Sequence, residues 1–261
     1  LALVILCYEV NMNIIISMAS YKKRFPTLHL CLESIINQSI KPDKFLLYLD
    51  HSYKNIPRQI QEFQDKGLEL CIADKDLKSH NKYFYAMQQY PNDIVITLDD
   101  DVLYPNDLIN KLLQSYEKYP FAVSAGRVHK MRFDANGYIK PYDTWEKEAA
   151  LYNKPYMELM ANGVGGILYP PHCMDIRLFD AKKIRQLCLY GDDIWLKAMQ
   201  LLKGTPVVAI QQAKQHPPII DNTQQHGLYK INKIQHRNDI YIQNVFHEYN
   251  LTRREKQNDQ Y

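Results

Sequence analysis

Five aspartates in two short runs are the residues best suited to chemistry in this sequence. Asp99-Asp100-Asp101 closes the run Ile94-Val95-Ile96-Thr97-Leu98, which is uncharged, rich in β-branched residues and preceded by Pro91-Asn92-Asp93. That pattern predicts a buried strand. In an open α/β sheet, ligands bind beyond the carboxyl ends of the strands, so three carboxylates there face the expected cleft. Alternation along an extended backbone points Asp99 and Asp101 the same way and turns Asp100 aside or toward a second partner. Two convergent carboxylates suit a hard divalent cation, Mg2+ or Mn2+, with coordination positions left for phosphate oxygens. The plainer use of such a triplet is an acidic loop that caps the helix expected to start near Pro105.

Gly191-Asp192-Asp193-Ile194-Trp195 puts a second pair of carboxylates at the start of a helix. Capping is an ordinary role for Asp there, and one of the two is expected to cap while the other projects into the cleft. The helix dipole helps to keep the projecting group ionised. Such a carboxylate can take the proton of a sugar hydroxyl as that hydroxyl attacks, which is general-base catalysis. Cations gather early in the chain, with Tyr21-Lys22-Lys23-Arg24 after the first strand and Asp76, Lys78, His80, Asn81 and Lys82 after the third. At strand ends they suit the neutralisation of a diphosphate. Gly163, Gly165 and Gly166 leave room for backbone to approach a ligand, although their spacing fits neither a Walker loop nor a dinucleotide fingerprint. Lone histidines (His129, His172, His216, His226) are most often structural; His216 is carried forward as a candidate third metal ligand.

The elements that must position these groups are legible from apolar periodicity. Asn13–Ser17, Phe45–Leu49, Leu68–Ala73 and Ile94–Leu98 read as strands. Leu28, Cys31, Leu32, Ile35 and Ile36 mark one face of a helix, Lys82–Gln89 a second, and Ile109, Leu112, Leu113 and Tyr116 a third. Strands alternating with helices imply βαβ units and a parallel sheet covered on both faces. Beyond Val123 the rhythm loosens: Phe121–Ser124 is a further strand and Gly126–Pro155 is irregular and aromatic. Asp193–Leu202 is a helix stopped by Gly204, Pro206–Ile210 a last strand, and Ile231–Tyr249 an amphipathic helix. No linker composition divides the chain. One domain over 12–250 is expected, in two halves (12–122 and 123–250) on one sheet, with an apolar extension (1–11) before Met12-Asn13 and a charged tail (251–261).

Composition removes other classes. Of 261 residues, 46% are hydrophobic and 23% charged, ordinary globular usage. Lys+Arg less Asp+Glu is 32 − 29 = +3, with a pI near 8.4, too mild to argue for nucleic acid. Five scattered cysteines without a CxxC spacing give neither a zinc site nor a disulfide framework, and reduced thiols in a cytoplasmic protein are the expectation.

Ser17-Met18-Ala19-Ser20-Tyr21 followed by Leu32-Glu33-Ser34-Ile35-Ile36-Asn37-Gln38-Ser39 resembles the opening of family 2-type glycosyltransferases of the GT-A fold. Ile94–Asp101 is similar to their DxD element and Asp192-Asp193 to their later acidic pair. Asp99–Pro105, Gly163–Cys173 and Asp192–Trp195, in that order, look like a bacterial group from capsule and lipopolysaccharide gene clusters. The resemblance runs from about Met12 to Val208. It implies a GT-A, Rossmann-like, mostly parallel sheet flanked by helices, with an elaborated C-terminal acceptor half. It also implies Ala19 and Tyr21 at the nucleoside, Asp50 at the base, and Asp76 and Lys82 near nucleotide and diphosphate. Asp99 falls at the ribose or the metal, Asp101 at the metal, and Asp193 at the catalytic base. Asp192 stands where the family often has Glu, and Leu49-Asp50-His51-Ser52 departs from the usual Asp-Asp-Gly-Ser.

The reading that follows is metal-dependent transfer of a sugar from a nucleotide-diphosphate sugar, a UDP-sugar being the expected donor, to a hydroxyl of a glycan or lipid-linked saccharide, with inversion as the expectation and retention as the alternative that the same metal site would serve. Arg24, Asp100, Gly165 and Gly166 join the donor-binding candidates. A place at the inner face of the cytoplasmic membrane follows from the resemblance, with Ile231–Tyr249, Arg253, Arg254 and Lys256 as candidate docking groups, although packing on the domain is the simpler use of that helix. Two other classes compete: a non-catalytic carbohydrate-binding domain, and a sugar-phosphate nucleotidyltransferase, which would want a Gly-rich, Arg-bearing loop where Ser17–Arg24 has no glycine. A thermal-shift assay separates transferase from binding domain: UDP is expected to raise Tm only when Mn2+ is present. A sugar-binding domain would respond to neither.

Overall fold

The computed structural model describes residues 12–50, 54–149, 152, 154–210, 216–223 and 237–253. Four strands form first, β1 (Ile14–Ser20), β2 (Lys44–Leu49), β3 (Leu68–Ile72) and β4 (Ile94–Leu98), all parallel, with β1 between β2 and β4. They are linked through α1 (Phe25–Ile36), the single turn α2 (Arg58–Gln61) and α3 (Asn81–Gln89). Helix α4 (Leu108–Lys118) leads to β5 (Val123–Ala125). Then come β6 (Val128–Lys130), β7 (Leu159–Ala161), β8 (Ile167–Tyr169), α5 (Ala181–Leu187), α6 (Asp192–Lys203), β9 (Val207–Ala209) and α7 (Arg237–Glu248). The main sheet has the order β3-β2-β1-β4-β8-β5-β9, and β6 and β7 form a separate antiparallel ribbon.

This is the expected α/β architecture, a mostly parallel sheet flanked by helices. Strands β5, β8 and β9, all from beyond residue 122, extend the sheet that β1–β4 begin. β8 has no counterpart in the sequence reading. It runs antiparallel to both β4 and β5 and is entered from β7 through a 3-10 turn over Gly163–Gly165. The connection from β5 carries the β6–β7 ribbon and brings the chain back at the end of the sheet where β5 leaves it, with Ala125 opposite Ile167, so β8 runs back antiparallel. Three-residue strands such as β6, β7 and β8 are too short to show a period.

The core explains the better-marked elements. Ile16 and Met18 of β1 share a cluster with Leu28, Cys31, Leu32 and Ile35 of α1, whereas Ile15, Leu46 and Val95 turn to the opposite face with Ala86 of α3. Every residue of β4 is buried, as its unbroken apolar run requires. Each such side chain contributes roughly 1.5–3 kcal/mol on burial. Pro26 lies in the first turn of α1, where a missing N–H costs nothing, and Gly204 ends α6 in the left-handed conformation at φ 83°.

Helix α7 starts at Arg237 and packs Ile242, Val245 and Phe246 inward, in contact with α6. The rest of its expected span, 231–236, lies outside the described residues, as do the 1–11 extension, His51, Ser52, His226 and the tail from Arg254 onward. Among the described residues, no helix is long and apolar enough to cross a membrane.

One buried charge is unexpected. Lys197 of α6 is 1% exposed, and its Nζ has no hydrogen-bond partner. Burial drives its amine down to about 7, with Glu158 offsetting part of the effect. A lysine held below its unfolded value costs stability most at low pH, and the cost fades as pH rises from about 7 toward about 10. Lys197→Met is therefore expected to stabilise the protein by about 1–3 kcal/mol near neutrality. Urea unfolding should show that gain shrinking as pH approaches 10.

Candidate active site at the carboxyl ends of β1 and β4

Three segments converge where the sheet ends. β1 delivers Ser20 and the 3-10 turn Lys22–Arg24, β4 delivers Asp99-Asp100-Asp101, and the first turn of α6 delivers Asp192 and Asp193. Because β8 is antiparallel to β4, its leading turn, Gly163–Gly165, arrives at the same end.

Lys82 joins these parts. Its side chain is 4% exposed, and its Nζ lies 2.7 Å from Asp99 Oδ1 and 2.8 Å from Asp192 Oδ2. Burial alone would lower the ammonium, but the carboxylates of Asp192, Asp99 and Asp193 outweigh it and hold the group charged, well above the ordinary lysine range. Lys82 was expected as a cation for the diphosphate; it is found as the bridge between the two acidic runs. Arg24 is engaged in the same way. Its Nη2 is 2.9 Å from Asp101 Oδ2, its Nε is 3.5 Å from Asp100 Oδ1, and its Nη1 donates to the Thr223 carbonyl at 2.6 Å.

The triplet is thus divided. Asp99 turns to Lys82, while Asp100 is buried and accepts from Ser20 Oγ at 2.6 Å. Burial pushes the Asp100 carboxyl up to about 7 against the pull of Arg24. Asp101 is raised by burial and then by the charge of Asp99, so those two carboxylates stand close enough to repel.

At α6 the expectation of one capping aspartate is corrected. The N-cap is Gly191, and neither Asp192 nor Asp193 makes a side-chain cap. Asp192 instead accepts from Ser79 Oγ at 2.9 Å and pairs with Lys82. Burial would raise Asp192, but Lys82 and the neighbouring donors hold it below the usual carboxylate range. Asp193 Oδ1 accepts from the Gly163 amide at 3.0 Å. Burial and then the charge of Asp192 drive its carboxyl well above the usual range, so the helix dipole does not decide its protonation as the sequence had suggested.

Gly163 is a glycine because of this crowding. A Cβ on it would stand 2.6 Å from Lys82 Nζ, 3.2 Å from Asp99 Oδ1 and 3.3 Å from Asp193 Oδ1. Gly165 and Gly166, which were expected beside a ligand, face protein instead. A Cβ on Gly165 would meet the Arg127 backbone nitrogen at 2.4 Å, and one on Gly166 would meet Leu108 and Leu98.

The remaining candidates form a rim. Ala19 pairs with Tyr48 near the end of β1, and Tyr21 sits half-buried with the Arg24 guanidinium 6.0 Å from its ring centre. Asp76 is exposed and paired with Lys78, and Asp50 is near enough to add to the charge that favours the Lys78 ammonium. His80 is not a cation. It is buried between the Tyr83 hydroxyl (2.6 Å) and the Cys188 carbonyl (2.9 Å), and burial takes it down to about 4. His216 does not meet the carboxylates. In the antiparallel pairing of this segment, Ile220 is opposite Asp101 and Pro218 opposite Leu103, so His216 lies farther from the acidic end, exposed and bonded to the Pro217 carbonyl. Ser79 and Thr223, which help to hold the charged groups in place, carry no signal in the spacing, and Ser20 stands out only as part of the Ser17–Tyr21 run. The sequence does not single out Tyr142 either, whose hydroxyl is raised to about 12 by burial and then by the charge of Asp193.

Among the described residues, no three His, Cys, Asp or Glu side chains form a ready-made metal shell. The centre nevertheless fits a divalent cation. Asp99, Asp100, Asp101, Asp192 and Asp193 gather around Arg24 and Lys82, and burial, followed by repulsion between neighbouring carboxylates, raises the carboxyls of Asp100, Asp101 and Asp193.

Residues 15–184 match the model of a family described as glycosyl transferase family 2. The chain belongs to that family. A comparison with curated protein sequences finds no match. Among solved structures, a mannosyltransferase, PcManGT from Pyrobaculum calidifontis in complex with GDP-Man and Mn2+, is similar over 91% of this chain and 64% of its own, at 11% identity and TM-score 0.55. S. aureus TarS 1–349 in complex with UDP is similar over 79% and 59%, at 11% identity and TM-score 0.49. This chain therefore spans less than two thirds of either. A CMP:2-keto-3-deoxy-manno-octonic acid synthetase complexed with CTP is similar over 87% of this chain and 99% of its own, at 14% identity and TM-score 0.43. The likeness to the mannosyltransferase, at that identity, is one of fold.

A raised carboxyl destabilises the folded protein increasingly as pH climbs from its unfolded value, near 4, through its folded one. Asp193→Asn keeps an acceptor for the Gly163 amide and removes the repulsion with Asp192. It is expected to stabilise the protein by about 1–2 kcal/mol at pH 8. Thermal unfolding should show the gain fading toward pH 4.

Proposed function

We propose that this glycosyltransferase moves a sugar from a nucleotide-diphosphate sugar, a UDP-sugar first among candidates, to a hydroxyl of a glycan or lipid-linked saccharide, with inversion at the anomeric carbon. The observation that carries the reading is Asp193. It is a carboxyl beside the acidic end of β4, oriented by the Gly163 amide at 3.0 Å and tuned upward by burial and Asp192.

The donor's diphosphate belongs over Asp99 and Asp101, which would hold Mn2+ or Mg2+. Such a cation supplies charge neutralisation for the leaving diphosphate. The nucleoside falls to the rim of Ala19, Tyr21, Asp50 and Asp76. GDP-Man in the mannosyltransferase of the same fold makes GDP-sugars the next donors to try. Asp193 takes the proton of the acceptor hydroxyl as its oxygen attacks the anomeric carbon. The bond from that carbon to the diphosphate oxygen breaks on the opposite face, and the nucleoside diphosphate departs. A base poised near the working pH gains most from such a transfer. Lys82 keeps Asp192 ionised and fixed, so the charge that tunes Asp193 does not wander. Capsule or lipopolysaccharide synthesis is the context the motifs suggest, with the acceptor presented at the inner membrane face.

The test is a panel of UDP- and GDP-sugars scored for Mn2+-dependent hydrolysis and transfer. Transfer should rise with pH through a midpoint well above the ordinary carboxylate range. Asp193→Asn should lose about 10²–10⁴ in rate while UDP with Mn2+ still raises its Tm. Full transferase activity in Asp193→Asn would remove the base from Asp193.

A further inference from the structure

Arg24 looked in the sequence like a cation for phosphate, but its side chain is 8% exposed, its Nη1 and Nη2 are both hydrogen-bonded within the protein, and its Nε stands 3.5 Å from Asp100 Oδ1 as an ion pair. Two of its partners, Asp100 and Asp101, belong to the acidic rim. The third, the Thr223 carbonyl, belongs to the segment 216–223, which comes from beyond β9 and is separated from Arg24 by most of the chain. That segment is fastened along the rim itself. The Ile220 amide donates to the Asp101 carbonyl at 2.9 Å, and the Leu103 amide donates to the Pro218 carbonyl at 2.8 Å. Thr223 is buried, and its hydroxyl closes back on the Ile220 carbonyl at 2.6 Å. A hollow of about 150 Å³ lies against the joint, lined by Lys23, Arg24, Pro26, Thr27, Asn222 and Thr223.

We propose that Arg24 is a positioning residue that couples the 216–223 strap to the Asp101 carboxylate, making the strap a working part of the site that takes a divalent cation and nucleoside diphosphate. The inference rests on the donor-side reading of Asp101. One planar fork reaches two acceptors at fixed angles, which a lysine cannot do. Asp101 is therefore held from both ends: its carboxylate by Arg24, and its carbonyl by Ile220, whose strap Arg24 also holds through Thr223. Coupling of this kind is reciprocal. Loosening the strap weakens the grip on the cation, and occupancy of the rim tightens the strap.

The experiment uses the full chain as wild type, Arg24→Lys and Arg24→Met. Hydrogen exchange is read at the Ile220 and Leu103 amides, and Mn2+ is titrated by electron paramagnetic resonance with and without UDP or GDP. Arg24→Met is expected to speed exchange at both amides and to weaken Mn2+ binding, each by roughly tenfold. Arg24→Lys keeps the charge but not the fork, so it should lose strap protection and Mn2+ affinity relative to wild type with the local charge unchanged. If Arg24→Met does not fold, Arg24→Lys carries both readouts. Wild-type exchange in a folded variant, or faster exchange with unchanged Mn2+ affinity, overturns the coupling alone. A wild-type protein that binds neither Mn2+ nor either nucleotide overturns the functional reading and the coupling with it.

Discussion

The Lys82 ammonium between Asp99 and Asp192 is the contact on which the rest of the centre depends. It ties the end of β4 to the start of α6, elements far apart in sequence, at 2.7 and 2.8 Å. A buried lysine keeps its charge firmly only with such partners, whereas Lys197, buried without them, has its amine driven down to about 7. The bridge also sets a hierarchy among the acids. Asp192, in direct contact with Lys82, stays ionised. Asp193, which contacts Gly163 instead, is raised by its burial and then by the charge of Asp192, so its proton comes off well above the usual carboxylate range. Two adjacent aspartates thus acquire different chemistry from one lysine and one glycine.

Arg24 repeats the arrangement on the other flank, serving Asp100 and Asp101. Between them, the two cations hold the acidic rim in a fixed shape while leaving it short of positive charge. Preorganisation and electrostatic deficit are the combination that a charged ligand exploits: little reorganisation is needed, and the incoming cation relieves repulsion already present.

Much of this was legible in the sequence, and the misses have physical causes. β4 was plain because five consecutive buried residues allow no polar interruption, and the acids after it had to lie at the sheet's end. α6 was plain from Trp195, Ala198, Met199 and the Gly204 stop. The charged side chains could be placed but not paired. Nothing in the spacing of Lys82 says that it reaches Asp192 rather than solvent, and Gly163 looks no different from Gly165 until the fold brings Lys82 against one and Arg127 against the other. The antiparallel β8 was hidden for a related reason: three residues cannot declare a period, and direction is set by the connection rather than by composition. His80 misled because its type suggests charge, whereas its burial between Tyr83 and Cys188 denies it.

The insertion of β8 between β4 and β5 has a consequence for how the chain is made. Until Ile167–Tyr169 emerges from the ribosome, β4, all five of whose residues are buried in the finished sheet, has an unpaired edge toward β5. Open edges of that kind invite pairing with other chains. The nascent N-terminal half is therefore the aggregation-prone species, and the acidic centre assembles only when a late, non-local strand slots home, a topology that slows folding.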